Sequence, residues 1–175
     1  MGKKGSKTKA GKSAKTNAAR LLDQHKITYE CLTYDVDPDD LAAESTAAKL
    51  GLEPQQVFKT LVVRGNHTGI CFAVIPADTH LDLKALAKLS NNRKVAPVSL
   101  KEVQPLTGYI RGGVTALASK KDYPVYVHDT LPTFDHIAVS AGKRGLMLWL
   151  KPHDYVLVAQ ATVGAIAQTK ISLED

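Results

Sequence analysis

The order of apolar and polar positions from Thr16 onward predicts short helices alternating with short strands. Apolar residues at helical spacing, following a capping residue or a proline, predict helices that begin near residues 16, 37, 82, 99 and 152. The second of these helices is predicted to begin at Asp37-Pro38 and to end at Gly51. Runs of β-branched and aromatic residues predict strands at 27–34, 57–64, 69–75, near 95, 123–128, 136–140 and 146–150.

These elements favour an α+β fold. The strands are too numerous and too unevenly spaced between the helices for a doubly wound parallel sheet. We therefore predict a mixed, strongly curved, barrel-like sheet flanked by helices, with the turn at 65–68 closing a hairpin. One domain over residues 16–175 is expected, because this length can bury a sizeable core. No apolar stretch approaches the length of a membrane span.

Residues 1–15 differ in composition from the rest of the chain. They contain six lysines, no acidic residue and almost nothing that can be buried, so we expect a disordered tail. The other 17 basic residues match 17 acidic residues, and the net charge of +6 therefore belongs to this tail. A flexible polycation binds phosphate backbones without sequence preference. Two interpretations stay open, a tail that binds RNA and one that only increases solubility.

The cysteines and histidines argue against disulfide and metal chemistry. Cys31 and Cys71 lie in separate apolar runs without CxxC spacing, which is typical of a reduced, cytoplasmic protein. The six histidines are scattered and show no metal-ligand spacing. We therefore expect no metal and no cofactor.

A lysine interrupts the apolar run 57–63. Lys59 is flanked by β-branched and aromatic residues, and no acidic residue is close enough in sequence to pair with it along the strand. An ammonium group in such a run must reach water, find a carboxylate or occupy a pocket that uses its charge. The strand alone allows either a snorkelling side chain on an exposed face or a functional cation.

Two glycine-containing loops also carry candidate chemistry. The first, 107–113, ends in Gly112 and Gly113, whose backbone can approach a ligand closely and whose amides can point the same way. The second, 140–145, combines a serine with two cations at the end of a strand. Each loop by itself is more simply explained as a bulge or a solvated hairpin tip. No Ser-His-Asp or Cys-His set can be assembled from the sequence.

Taken together and in this order, these segments resemble the bacterial YbaK family of aminoacyl-tRNA deacylases, which is related to the editing domain of prolyl-tRNA synthetases. The resemblance covers residues 16–168 and rests on an ordered set of matches: Thr33-Tyr34, Asp37-Pro38, Lys49-Leu50-Gly51-Leu52, Val57-Phe58-Lys59-Thr60-Leu61, Leu81-Asp82-Leu83-Lys84, Thr107-Gly108-Tyr109, Gly112-Gly113, Lys120-Lys121 and residues 139–146. After the double glycine the chain departs from the family's Ser-Pro-x-Gly pattern and reads Val114-Thr115-Ala116-Leu117-Ala118. The pocket shape and the amino-acid specificity are expected to differ there.

The resemblance implies hydrolysis of the ester between a mischarged amino acid and the tRNA 3′ end, notably cysteine on tRNA-Pro, with prolyl-tRNA synthetase as a partner. It implies catalytic roles for Lys59, Gly112 and Gly113, substrate binding by Tyr34, Thr60, Thr115, Ser140 and Gly142, and tRNA binding by Lys120, Lys121, Lys143 and Arg144. In this family the lysine holds the terminal phosphate or ribose, and the thiol of a cysteinyl substrate acts as the nucleophile.

Two alternatives stay open. One keeps the reaction and changes the amino acid to alanine, serine or another small residue, the kind that synthetases discriminate poorly. The other is a non-catalytic module that binds tRNA or a synthetase.

Overall fold

The structure is a computed structural model, and it describes residues 15–170. The predicted lysine-rich tail lies outside the described residues except for Lys15, whose Nζ forms an exposed ion pair with Asp23 at 2.7 Å. In the described part of the chain, none of the helices is both long and apolar enough to cross a membrane.

Within residues 15–170 the chain forms five helices and ten strands. The helices are α1 (Asn17–Gln24), α2 (Ala43–Leu50), α3 (Leu83–Leu89), α4 (Leu100–Thr107) and α5 (Pro152–Ala159). The strands are β1 (Tyr29–Thr33), β2 (Phe58–Gly65), β3 (Gly69–Pro76), β4 (Thr79–Leu81), β5 (Val95–Pro97), β6 (Val125–His128), β7 (Ile137–Ser140), β8 (Leu146–Leu150), β9 (Thr162–Gly164) and β10 (Ala167–Thr169).

Side-chain caps set two of the helix boundaries. The Thr16 hydroxyl accepts a hydrogen bond from the Ala19 amide at 3.2 Å, and the Asp82 carboxylate accepts one from the Ala85 amide at 3.0 Å. Both satisfy amides that have no partner inside the helix. The predicted starts of α1 and α3 are therefore confirmed. The predicted end of α2 at Gly51 is also confirmed, since Gly51 has a left-handed backbone with φ 67°.

The predicted start of the second helix at Asp37 is wrong, because α2 begins at Ala43. The Asp37 carboxylate accepts a hydrogen bond from the Asp39 amide at 2.9 Å, and the Asp40 carboxylate accepts one from the Ala42 amide at 3.3 Å. Such bonds between a short side chain and a nearby amide stabilise turns at the expense of helix. The acidic run therefore forms a turn that leads into the helix.

The strands are hydrogen-bonded into three sheets. The largest is a mixed sheet in the order β5-β2-β3-β6-β9, in which β2 runs antiparallel to β3 and β5, while β6 runs parallel to β3 and β9. A second, antiparallel sheet has the order β1-β8-β7, and β10 pairs with β4. The predicted α+β class with a mixed sheet is confirmed, and no closed barrel is found within residues 15–170.

Strand β3 is buried on both faces and occupies the centre of the molecule. Residues on one face, such as Phe72, pack into the main core, which includes Phe58 and the fully buried Tyr155. Residues on the other face, such as Ile75, pack in a second cluster with Leu86 of α3. Along β2, by contrast, residues 59–61 are only half-buried. A ligand can therefore reach the central sheet at this end of the hairpin.

A backbone bridge joins the five-stranded and three-stranded sheets. Val57, directly before β2, pairs in parallel with Ala138 of β7. Lys59 and Ser140 each lie two residues beyond this bridge, and residues two apart along a strand point to the same face. The bridge therefore brings Lys59 and Ser140, which are distant in sequence, to one side of the fold.

Candidate active site

A pocket of about 460 Å³ opens at the start of β2. Its walls are formed by β2, the start of α2, helix α4, the segment 111–114, the end of β7 and Lys170, the last described residue. Apolar wall residues include Val57, Val98, Val103, Val114 and Met147, and the polar ones include Glu44, Lys59, Thr60, Arg111, Ser140 and Lys170. Apolar walls with a few convergent polar groups are typical of small-ligand sites.

Lys59 is a half-buried cation in this pocket. Its Nζ donates one hydrogen bond, to the Ala77 carbonyl at 3.2 Å, which leaves two N–H groups for water or a ligand. Burial lowers the pKa of Lys59, and the positive charge of Lys170 lowers this pKa further, while Glu44 and Asp78 partly oppose the shift. No ion pair joins Lys59 to a carboxylate among the described residues. The second interpretation of the sequence, a cation in a pocket, is therefore the one that fits its surroundings.

Thr60 and Ser140 both line this pocket. The Thr60 Oγ1 is buried and has no hydrogen-bond partner within residues 15–170. A buried hydroxyl without a partner is unfavourable, and a ligand can become its partner only if the side chain moves to expose the oxygen. The Ser140 Oγ accepts a hydrogen bond from the Gly142 amide at 3.2 Å, so its own proton is available to a ligand.

The two consecutive glycines have different surroundings. The Gly113 amide donates to the Ile110 carbonyl at 2.9 Å and closes a turn, so this N–H group is already in use. Gly112, with φ 85°, lines the pocket, and Arg144 lies beside it. The Arg144 Nε donates to the Arg111 carbonyl at 2.8 Å, which ties the glycine loop to the loop 140–145. Gly112 is therefore the glycine of the pair that faces a ligand.

These two loops approach each other so closely that side chains are excluded between them. A Cβ added to Gly113 would lie 2.9 Å from Cα of Lys143, and one added to Gly142 would lie 2.9 Å from the ring of Tyr109. The Tyr109 hydroxyl reaches the carbonyls of residues 117 and 118, at 2.7 and 2.9 Å. Burial raises the pKa of Tyr109 to about 12, so it stays protonated. These two loops are thus held together by close backbone contacts and by the half-buried Tyr109.

Three predicted substrate-binding residues, Tyr34, Thr115 and Gly142, are not among the described residues that line the pocket. Tyr34 lines a separate depression beside Lys49. Thr115 is fully buried, and its hydroxyl accepts a hydrogen bond from the Leu117 amide at 3.3 Å. Thr115 therefore has no surface to offer a substrate, because its side chain supports the loop from within, and Val114 lines the pocket in its place.

The four cations predicted to bind tRNA also lie outside the pocket. Lys120, Lys121 and Lys143 are exposed, and Arg144 is half-buried beside the glycine loop. Lys120 and Lys143 belong to segments that Tyr109 links, since its ring packs on Gly142 and its hydroxyl reaches residues 117 and 118. Lys143 therefore lies beside the glycine loop, and Lys120 lies on a segment that Tyr109 joins to it.

Sequence reasoning missed Glu44 and Lys170, which both line the pocket. A glutamate in the first turn of a helix is expected from helix electrostatics alone. Lys170 follows β10, a three-residue strand that the sequence pattern did not predict. Only the tertiary structure brings these two residues to Lys59.

Comparisons with known proteins identify the family of the chain. Residues 37–157 match the model of the aminoacyl-tRNA editing domain. EbsC of Enterococcus faecalis, a candidate Cys-tRNA(Pro)/Cys-tRNA(Cys) deacylase, is 47% identical over 138 residues, covering 79% of this chain and 84% of EbsC. The Escherichia coli multifunctional Ser/Thr-tRNA deacylase ProXp-y is 28% identical over 145 residues, covering 80% of this chain and 84% of that protein.

A solved structure shows the same fold. A candidate trans-editing enzyme for prolyl-tRNA synthetase superposes with a TM-score of 0.73 at 20% sequence identity, covering 89% of this chain and 99% of that one. The match to the family model extends over more than half of the chain, and the EbsC match extends beyond it at 47% identity. The resemblance inferred from the ordered motifs is thereby confirmed, and the chain belongs to the aminoacyl-tRNA editing domain family.

Proposed function

We propose that the protein is a trans-editing enzyme that hydrolyses the ester linking a mischarged amino acid to the 3′ end of tRNA. The observation that carries this proposal is the convergence of Lys59, Thr60, Gly112 and Ser140 on one pocket, in a chain of the editing family. Within residues 15–170, those that line this pocket include neither histidine nor cysteine, so they provide no Ser-His or Cys-His pair. Catalysis would therefore rest on positioning and electrostatics.

Each polar group of the pocket has a role in this reaction. The two free N–H groups of Lys59 bind the phosphate or ribose of the terminal nucleotide. The amide of Gly112 donates to the ester carbonyl oxygen, on which negative charge develops in the transition state. Because the Gly113 amide is engaged with Ile110, Gly113 acts by allowing the close approach of the two loops. The hydroxyl of Ser140 binds a polar group of the substrate, and a shift of the Thr60 side chain would let its unpartnered hydroxyl bind another.

A cysteinyl substrate would supply its own nucleophile. The thiol sulfur adds to the ester carbonyl carbon, and the bond from this carbon to the ribose oxygen then breaks. The ribose oxygen takes the proton that the thiol loses, which releases tRNA and a cyclic thioester of cysteine. Water hydrolyses this thioester to free cysteine. The enzyme needs only to hold the ester in a reactive geometry and to stabilise the oxyanion.

We assign cysteine on tRNA-Pro as the preferred substrate, with prolyl-tRNA synthetase as the partner that produces it. The name of EbsC, 47% identical, supports cysteine. The apolar wall that includes Val114 and Met147 suits a thiol better than a hydroxyl, since a polarisable thioether packs well against another sulfur or an apolar group. The name of ProXp-y, 28% identical, makes serine the second candidate.

The body of the tRNA would contact the rim of the pocket. Lys120, Lys121 and Lys143 are exposed and can bind phosphates without reading sequence. Arg144 already binds the Arg111 carbonyl, so we assign it a role in ordering the glycine loop as well as in tRNA binding.

Deacylation of Cys-, Ala- and Ser-tRNA-Pro tests this proposal. We expect the wild-type protein to hydrolyse Cys-tRNA-Pro fastest and Lys59→Ala to reduce kcat/KM about 100-fold, since a charge-assisted hydrogen bond contributes about 1.5–3 kcal/mol. Lys94→Ala is the matched control, because Lys94 is exposed and lies at the far end of β2 from Lys59. Both variants should unfold at the wild-type temperature within a few degrees.

The possible outcomes separate the alternatives. Equal rates for wild type and Lys59→Ala would show that the site is assigned wrongly. Faster hydrolysis of Ser-tRNA-Pro would move the specificity to serine while keeping the reaction. Binding of tRNA without hydrolysis of any of the three would favour the non-catalytic module.

A further inference from the structure

Lys170 is held firmly at the edge of the pocket. It directly follows β10, which pairs with β4. The backbone just before β10 is fixed by His128, whose Nδ1 accepts hydrogen bonds from the amides of Ile166 and Ala167, both at 3.1 Å. The Gln168 side chain also donates to the Asp82 carboxylate at 3.1 Å. The strand that precedes Lys170 is therefore held by its pairing with β4 and by these side-chain contacts.

The charges inside the pocket do not balance. Lys59, Lys170 and Arg111 line it together with Glu44, which is the carboxylate among its described lining residues. Glu44 forms an ion pair with Lys170. The side chains of Lys170 and Glu44 are 38% and 46% exposed, so water screens this pair and an incoming anion can replace it. The pocket is thus a half-buried cavity with an excess of positive charge, which favours an anionic ligand.

The effect on Lys59 supports this conclusion. Both side chains line the same pocket, and the positive charge of Lys170 lowers the pKa of Lys59, so the two charges disfavour each other there. A phosphate placed against both would remove this repulsion and would accept charge-assisted hydrogen bonds from each.

We infer that Lys170 is the second cation of the substrate site and that, together with Lys59, it binds the phosphate attached to the terminal adenosine of the substrate. This inference rests on the proposed function for the identity of the ligand, because that phosphate is the anion nearest to the reacting ester. In the free protein Lys170 forms an ion pair with Glu44. When the substrate binds, its phosphate replaces the Glu44 carboxylate as the partner of Lys170.

A purely structural role for Lys170 gives different expectations. If Lys170 only clamps the start of α2 through Glu44, then Glu44→Gln and Lys170→Met should have the same effect, since each breaks the ion pair. If Lys170 binds phosphate, removing Glu44 frees it, and Glu44→Gln should keep or increase the affinity for phosphate.

Adenosine and adenosine 5′-monophosphate provide the test, because they differ only in the phosphate. Their affinities for the full-length protein can be measured by NMR titration without any hydrolysis. We expect wild type to bind the monophosphate about tenfold more tightly than adenosine, and Lys170→Met to reduce this preference to about twofold. Lys170→Arg should retain the preference, because a guanidinium also binds phosphate. Lys94→Met, a loss of the same charge at a distant site, should retain it as well.

Three results would overturn the inference: no preference for the monophosphate in wild type, a full preference in Lys170→Met, or an equal loss in Glu44→Gln and Lys170→Met. The deacylation assay is separate. A phosphate preference that depends on Lys170, in a protein that hydrolyses no aminoacyl-tRNA, would leave the anion site standing and refute the proposed enzyme.

Discussion

Replacing Gly113 with alanine should slow deacylation while leaving the protein folded. A Cβ at this position would lie 2.9 Å from both Cα and the carbonyl carbon of Lys143 and 3.0 Å from the Arg144 amide nitrogen. These are backbone atoms, which cannot rotate away. Restoring an ordinary contact, from 2.9 to 3.4 Å, requires the loops 107–113 and 140–145 to separate by about 0.5 Å.

Two costs follow from this separation. Overpacking of this kind typically reduces the free energy of unfolding by about 1–3 kcal/mol. The displaced loop also carries Gly112, whose amide we assign to the ester carbonyl. A misplacement on the order of 1 Å can reduce a rate about 100-fold, so a shift of half that size predicts a loss of about tenfold in kcat/KM.

The assay combines kcat/KM on Cys-tRNA-Pro with urea unfolding. Gly65→Ala is the matched control, because its Cβ would lie 2.4 Å from the Asn92 side chain, at the opposite end of β2 from Lys59. This control should lose stability and keep the wild-type kcat/KM. The reasoning would be refuted if folded Gly113→Ala had wild-type activity, or if Gly65→Ala lost as much activity as Gly113→Ala.

Three further predictions concern stability. Asn92→Ala should reduce the free energy of unfolding in urea by on the order of 3 kcal/mol, because the side-chain oxygen Oδ1 of Asn92 accepts hydrogen bonds from two backbone amides of the hairpin tip, at 2.9 and 3.0 Å; a change below about 1 kcal/mol would contradict this. Tyr109→Phe should cost about 1–2 kcal/mol in the same experiment, since two backbone carbonyls lose their shared donor. Burial lowers the pKa of His128 from 6.5, although Asp129 opposes the shift, so the folded protein binds this proton less readily than the unfolded chain. The contribution of neutral His128 to the free energy of unfolding should therefore be fully present above about pH 6.5 and be lost as the pH is lowered below that value. His128→Gln should show a smaller fall in the free energy of unfolding between pH 7.5 and 5.5, and an identical fall in both proteins would show that other groups cause it.

Local chemistry allowed much of the fold to be predicted. The caps at Thr16 and Asp82 and the hairpin of β2 and β3 depend on residues close together in sequence, and all three are confirmed. Strands β4, β9 and β10 were not predicted. Each has three residues and is paired with a strand that is distant in sequence, so no local pattern marks it.

In the candidate site, too, the residues in local motifs could be predicted, and those that depend on tertiary contacts could not. Lys59, Gly112 and Ser140 lie in recognisable motifs, and the structure brings them to one pocket. Thr115 follows the glycines closely in sequence, but only the packing of its loop shows that its side chain is buried. Lys170 has no motif at all, and its place in the pocket depends on the pairing of β10 with β4.

The bridge between Val57 and Ala138 also determines when the pocket can form as the chain folds. The hairpin of β2 and β3 joins neighbouring segments, so it can form early, whereas the nearby contact between Gln56 and His136 closes a loop of 80 residues. A chain still in synthesis, in which β7 has not yet left the ribosome, can hold the hairpin but not the pocket. Fragments that end before β7 should therefore be partly structured and unable to remove an amino acid from any tRNA.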